Sequence, residues 1–585
     1  MVVTNGGVNR PSQRKPRTRP HPVPAAAPVA SAVTRPPARG VGAEPVAVTS
    51  REAARRINGL AEVGDTLAGR NRLRTLAGQV KKGGRDTQRM TFIEAAIGEC
   101  LDEAGQAESP VERWLACEAA TWALAWMART RRAGGSAGRL LERLVGQARA
   151  AQALLATGDT LPARFVLALA RLFRDIEACR CLEEGASVTL AAEIDRLVSP
   201  QGSVNVTGSG AMVERVVRWT AARETALATG GSAWGEATER RWKAAATMAV
   251  RLLGGRGRVL AGAGQMPGCF TAPLVHAVEE MGGRRERTVR ALRRGRADAG
   301  GRRALARDVH DATAAFAVVR SGWDRGSVRV SLEYRHAVPR LEIAVADRLL
   351  VDGPWQWEAW ADGRALEAEG AWTVSCWESD RKATFLEIVA PLTGGRQFER
   401  QVVMLPRERI VVLADAITSP AGAAAAEIRY RGVVPLAASL DVDPAVETRE
   451  VCAFDTSMRF MALPLALPEW RTAGRGSFDG SATDLVLSQE GAGGRLYAPL
   501  WLDCDPSRVG GPLTWRQLTV ADTRRNLPPH QAAGFRVQAG LEQWLLYRAL
   551  DAPRNRTLLG CNVSCEFLLG RIRKCGEVAR TLEIQ

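Results

Sequence analysis

The chain lacks most of the features by which function is usually read. It has no uninterrupted apolar run of about 18 residues, so no membrane-spanning helix is expected. No phosphate-cradling Gly-rich loop follows a strand-like run, and no G-x-S-x-G elbow is present, which leaves nucleotide binding and serine hydrolysis without support. Met1 to Pro20 contains no apolar core of roughly 7–15 residues, so export by the usual signal is not expected. The 11 cysteines are odd in number and scattered. Cys561, Cys565 and Cys575 are the tightest group, yet neither they nor Cys179 and Cys181 have a neighbouring His or paired C-x-x-C spacing. Free thiols are therefore expected, with no metal site and no cofactor. Histidine and tyrosine are scarce, at five and four in 585 residues, which narrows the choice of acid–base groups.

What is present is charge of one sign, with a formal net of +17. It is concentrated. Residues 1–90 hold 17 Lys+Arg against 5 Asp+Glu, and residues 281–310 hold 10 Arg against 3 acids, so these two segments carry +12 and +7 and the rest sums to −2. The excess thus belongs to a tail and a connector, and net charge alone does not argue for an acidic ligand. Residues 1 to 50, with runs such as PHPVPAAAPVASAVTRPPARG, read as a disordered basic tail that can touch an anionic surface or serve only as a spacer.

From about residue 90 to 280 the apolar residues recur at helical spacing. Val111, Trp114, Leu115, Ala119, Trp122 and Trp126 share one face of a helix starting near Pro110. Phe165, Val166, Leu169, Leu172, Phe173 and Ile176 form a second stripe after Pro162. Trp242, Ala245, Ala246, Ala249, Leu252 and Leu253 form a third, closed by Gly254 and Gly255. Standard repeat signatures are missing, so a compact ring or bundle is expected. Beyond about 311 the period becomes two. Val328, Val330 and Leu332 alternate with Arg329, Ser331 and Glu333, and Leu341, Ile343 and Val345 alternate with Glu342 and Ala344. Short apolar runs at 401–405, 410–413, 544–547 and 567–572 complete a β-sandwich pattern. The expected organisation is a tail at 1–50, a helical domain at 51–310 ending in an Arg-rich connector, and an antiparallel β-sandwich at 311–585.

The junction AAFAVVRSGWDRGSVRVSLEYRHA followed by LEIAVADRLLVDG, with GSVNVTGSGAMVERVVRW at 202–219 and ERQVVMLPRERIVVLADAI at 399–417, resembles the heparinase II/III-like family. The resemblance implies an incomplete α/α toroid followed by a β-sandwich, with an acidic, uronate-containing polysaccharide bound between them and cleaved by β-elimination. Members of that family are often exported; with no signal seen here, a cytoplasmic location is the default expectation. Lyase chemistry needs a group that neutralises the uronate carboxylate, a base for the adjacent proton and an acid for the departing oxygen. Departures from the family pattern are evident. All four tyrosines lie in the β half, and the H-x-H-x-D-like segment survives as Arg335, His336, Ala337 and Val338. Asp352 and Gly353 keep the later D-x-G-like element, followed by Pro354.

On this reading the catalytic candidates are His336, as acid or base, and Asn205, as neutralising amide. His276 and His310 rank behind His336. The substrate-binding candidates are Arg218 and Arg223, set with Glu214 and Arg215 along one polar side of a helix and able to fork a carboxylate. Trp355 and Trp357, two apart on a strand, offer faces for sugar rings. A salt-bridged helix surface is the competing explanation for the arginines, and sandwich packing for the tryptophans. The alternative function is a non-catalytic glycan-binding protein or scaffold that keeps the fold.

Overall fold

The computed structural model describes residues 48–62, 66–83, 87–130, 135–206, 208–255, 271–294, 304–324, 326–345, 348–420, 422–472, 476–509, 511–523 and 525–585. The expected basic tail, apart from its last residues, and the middle of the Arg-rich connector lie outside them. Residues 46–585 form one compact unit.

Twelve α-helices precede the first strand among the described residues, and antiparallel sheets fill the rest of the chain. The changeover falls at the strand Val309–Asp311. Local chemistry fixes several helix starts. The Thr49 hydroxyl accepts the Glu52 N–H at 3.1 Å, and Thr66 does the same for Gly69 at 3.0 Å, each satisfying an orphan donor of the first turn. The second apolar stripe ends earlier than its periodicity suggested. The helix is Ala163–Leu172, and Ile176, beyond it, is exposed.

Helices Ser50–Ala61, Pro110–Thr130, Ala163–Leu172, Ser209–Ala228 and Ala272–Glu280 pack successively as an inner row, backed by the helices between them in sequence. Trp114 stacks on Phe165 across this row with ring centroids 6.0 Å apart. Two buried indoles find acceptors, Trp242 on Thr220 at 3.1 Å and Trp219 on Glu193 at 2.7 Å, so their bulk is buried without orphaning the N–H.

The β half is a pile of layers. The sheet of strands Val309–Asp311, Phe316–Arg320, Val328–Glu333, Arg340–Val345 and Arg348–Pro354 faces the helices, and a second five-stranded sheet continues its layer through the bridge between Val351 and Leu436. An eight-stranded sheet lies beneath, with Leu386, Ile388, Val402 and Leu413 in the core shared with that layer. Its other face places Phe385, Val403, Val412 and Trp501 against Trp515, Phe535, Trp544 and Phe567 of a C-terminal five-stranded sheet. A four-stranded sheet covers the far side of that one. The sandwich expected at 311–585 is thus extended by two further layers.

Candidate functional site

Strand Val328–Glu333 decides where the halves meet. Val328, Val330 and Leu332 enter the sandwich core, which turns Arg329, Ser331 and Glu333 toward the helices. Neighbouring Arg340 and Glu342 share that face. Arg329, Ser331 and Glu342 are buried there, an unusual concentration of polar groups for a packed interface.

Two helix ends stand on this face. The backbone N–H and the hydroxyl of Ser209, first residue of Ser209–Ala228, both donate to the Glu333 carboxylate, at 2.8 and 2.9 Å. A carboxylate at a helix N-terminus satisfies orphan donors and favours the dipole. The next helix, Glu236–Leu252, returns with its C-terminus on the sheet. There Arg329 donates to the Leu252 carbonyl at 3.0 Å, and Arg320 donates to the carbonyls of Leu253 and Arg251. Arg251 in turn donates to the carbonyls of Ala306 and Asp308. This helical hairpin is therefore held at both feet by charge of the complementary sign.

Asn205 and His336 flank that contact. Asn205 lies four residues before Ser209, its N–H donating to the Leu197 carbonyl at 2.9 Å and its side chain exposed. Two glycines shape its segment. Gly202, at φ +91°, lies so close to the Ala244 carbonyl that a Cβ would sit 2.4 Å from the oxygen. Gly208, at φ +82°, leaves room for the Glu333 carboxylate, which a Cβ would approach to 3.1 Å. His336 lies three residues after Glu333 in the exposed connection to Arg340–Val345. That connection is pinned by Trp372 donating to the Ala337 carbonyl at 2.9 Å, the Trp355 N–H donating to the Pro339 carbonyl at 2.8 Å, and Arg335 reaching the Thr313 carbonyl. No described residue bonds the His336 ring or the Asn205 amide group. The two leading candidates thus emerge on either side of one interdomain contact, both free toward solvent.

The other sequence candidates fall elsewhere. Trp355 is 2% exposed, with the Arg400 guanidinium 3.8 Å over its ring, so it offers no face to a sugar. The expectation of a two-tryptophan platform is corrected, because both rings turn into the sandwich core: Trp357 is half-buried and stacks on Phe398 at 4.3 Å. Arg218 pairs with Glu214, and Arg223 lies over the Trp242 ring at 4.2 Å while its Nε–H is shared between the two Glu239 carboxylate oxygens at 3.0 and 3.1 Å. Neither is at the foot of its helix; Arg223 is fourteen residues from Ser209, roughly 20 Å along the axis at 1.5 Å per residue. Asp352 is engaged by Arg340. His276 is exposed beside Glu280.

Sequence reasoning missed Glu333, Arg329 and Arg340 as residues of the interdomain face, and it ranked His310 behind His336. His310 Nε2 and the Tyr334 hydroxyl share a hydrogen bond of 2.8 Å, and the Trp377 ring lies 5.1 Å from the imidazole. Burial lowers the His310 pKa, with Asp311 opposing, and burial together with Asp311 pushes the Tyr334 phenol up to about 12.

A helical row seated on antiparallel sheets through a polar seam defines the class: this is a heparinase-like fold, an α/α toroid followed by a β-sandwich. No family model and no curated protein matches the sequence. Solved structures do. A heparinase III gene product superposes with a TM-score of 0.53 at 10% identity, over 86% of this chain and 84% of that one. The heparan sulfate lyase HepC from Pedobacter heparinus gives 0.50 at 10% identity, over 87% and 90%. Another heparinase III gives 0.50 at 11%, over 82% of each. At such identities the likeness establishes the fold, and the chemistry has to be argued from the side chains.

Proposed function

We propose that the seam binds a uronate-containing acidic polysaccharide and cleaves it by β-elimination, with Asn205 and His336 as the working pair. In this reading the Asn205 amide donates to the uronate carboxylate, so that charge developing at the adjacent carbon on proton loss is stabilised. His336 takes the C5 proton. The electron pair of that bond becomes the C4=C5 double bond, the C4–O bond breaks, and the leaving oxygen is protonated by the imidazolium just formed. Exposed Arg335 adds positive charge beside it. The observation that carries the reading is the Ser209–Glu333 contact, from which the Asn205 segment and the His336 connection both depart.

The test mixes purified protein with a panel of uronate polysaccharides and follows the ultraviolet absorbance of the unsaturated product. Rising absorbance that His336→Ala and Asn205→Ala each reduce by about 10²-fold or more is the expected result. A flat trace for the unaltered protein across the panel rejects elimination.

A second reading, glycan binding without turnover, is favoured by one observation. Tyr334, the tyrosine nearest the seam in sequence, is buried against His310 with its phenol raised, so it provides no phenolate at neutral pH. Saturable glycan binding with no unsaturated product, lost in Asn205→Ala, would select this reading.

A further inference from the structure

Between the first and last helices of the inner row lies a cavity of about 630 Å³. Among the described residues its wall is drawn from helices alone, with none from the sandwich. Glu224, in its wall, is fifteen residues along the helix from Ser209, about 22 Å at 1.5 Å per residue, so the cavity is separate from the seam.

Its chemistry is distinctive. Arg55, Arg56, Arg164, Arg223 and Arg293 line it, together with Glu224 and Glu280. Each guanidinium is oriented by a carboxylate outside the wall: Glu52 for Arg55 and Arg56, Glu118 for Arg164 at 2.9 Å, Glu239 for Arg223, and Glu279 for Arg293. Arg56 and Arg223 are further steadied over the rings of Trp122 and Trp242, at 5.5 and 4.2 Å. A guanidinium has five N–H donors, and these pairings leave some unused. Arg164 meets buried Glu118 through Nε.

Because the guanidiniums are matched by carboxylates behind them, the cavity is not a general attractor of polyanions. It offers fixed, directional donors, which suits a small ligand with a compact acceptor group. Val217, Ala221, Ala272 and Pro273 supply an apolar side, and among the described residues no Trp, Tyr or Phe lines the wall to stack along a polymer. Burial raises the Glu224 pKa, with Arg56 and His276 opposing.

We infer that this cavity is a second binding site, for a small molecule carrying one oxyanion group (carboxylate, sulfate or phosphate) and no larger than a disaccharide. The inference does not depend on the reaction proposed for the seam.

Calorimetric titration of the full chain with sodium sulfate, sodium phosphate and glucuronate, each separately, tests it. Saturable one-to-one binding of at least one probe is expected. Binding of glucuronate alone identifies a sugar acid, and binding of sulfate or phosphate alone an inorganic oxyanion. The double variant Arg55→Gln/Arg293→Gln alters two half-exposed side chains and should fold; it should weaken binding about tenfold or more, the loss of one charge-assisted hydrogen bond. Arg164→Lys keeps the charge opposite buried Glu118 but loses the fork, and should weaken binding similarly. Asn205→Ala and His336→Ala should leave sulfate or phosphate binding unchanged. No saturable heat with any probe, unaltered affinity in both arginine variants, or loss of sulfate or phosphate binding in Asn205→Ala would each overturn the inference.

Discussion

Arg400 has no exposed surface. Its Nε and one terminal nitrogen fork the Asp415 carboxylate at 2.8 Å each, and the other donates to the Trp355 carbonyl at 2.6 Å. The Tyr430 hydroxyl completes the set on Asp415 at 2.5 Å. A buried pair so fully bonded is costly to break from one side, because the remaining charge keeps its desolvation penalty. Arg400→Ala should therefore lower unfolding free energy by about 3–5 kcal/mol in denaturant titration, whereas Arg429→Ala, at an exposed pair with Glu490, should change it by less than about 1 kcal/mol. His310 gives a second residue-scale expectation. Its pKa in the folded chain lies below the ordinary imidazole value of 6.5, so the unfolded chain takes up the proton first as pH falls. The stability from neutral His310 is complete above 6.5 and is lost as pH falls from there toward the folded value. His310→Gln should remove that part of the slope when the two proteins' stabilities are compared between neutral pH and about pH 5; identical slopes would contradict it. The fate of Trp355 shows why single residues were hard to read. Its two-residue spacing from Trp357 was legible, but the arginine that covers it comes from position 400, and nothing local announces that partner.

At the scale of elements, the hairpin of Ser209–Ala228 and Glu236–Leu252 is fastened by acid at one foot and arginine at the other. The feet should differ in strength. Glu333→Ala removes an exchangeable cap, so a cost of about 1–2 kcal/mol is expected, with faster amide exchange confined to the first turn after Ser209. Arg320→Met strips donors from two helix-end carbonyls in a buried setting and should cost more, about 2–4 kcal/mol, with faster exchange near Leu252. Equal costs, or exchange spread evenly along both helices, would contradict this account. The strand beneath was legible as a strand from its alternation. Its polar side reads by default as a solvent face, and only the tertiary arrangement makes it the surface on which helices stand. The same limit applied to Ile176, whose spacing continued a helical stripe that the chain had already left.

For the whole molecule, the eight-stranded sheet has apolar residues on both faces, and the C-terminal sheet covers one of them. Polar groups lock that cover. Arg548, from the C-terminal sheet, reaches Glu387 and Glu399 of the eight-stranded sheet at 3.2 and 2.6 Å. Removing residues 513–585 would bare Phe385, Val403 and Trp501 and leave Glu387 and Glu399 without their cation. The shortened chain should be found in the insoluble fraction or elute as aggregate in size exclusion; a monomer that unfolds cooperatively would refute the dependence. The order of helices followed by strands was readable from the change of hydrophobic period near residue 311. The number of layers was not, because strands dry on both faces lose their alternation and appear only as short apolar runs at 401–405 and 410–413.

The layered pile also sets where the chain ends. Its last strand, Val578–Ile584, belongs to the third sheet layer counted from the helices, about 20 Å from the first at the usual spacing of roughly 10 Å between packed sheets. A tether attached at Gln585 to a sensor chip or resin therefore holds the molecule two sheet layers away from the sheet whose exposed connection carries His336, which makes Gln585 the natural point of attachment for glycan-capture measurements.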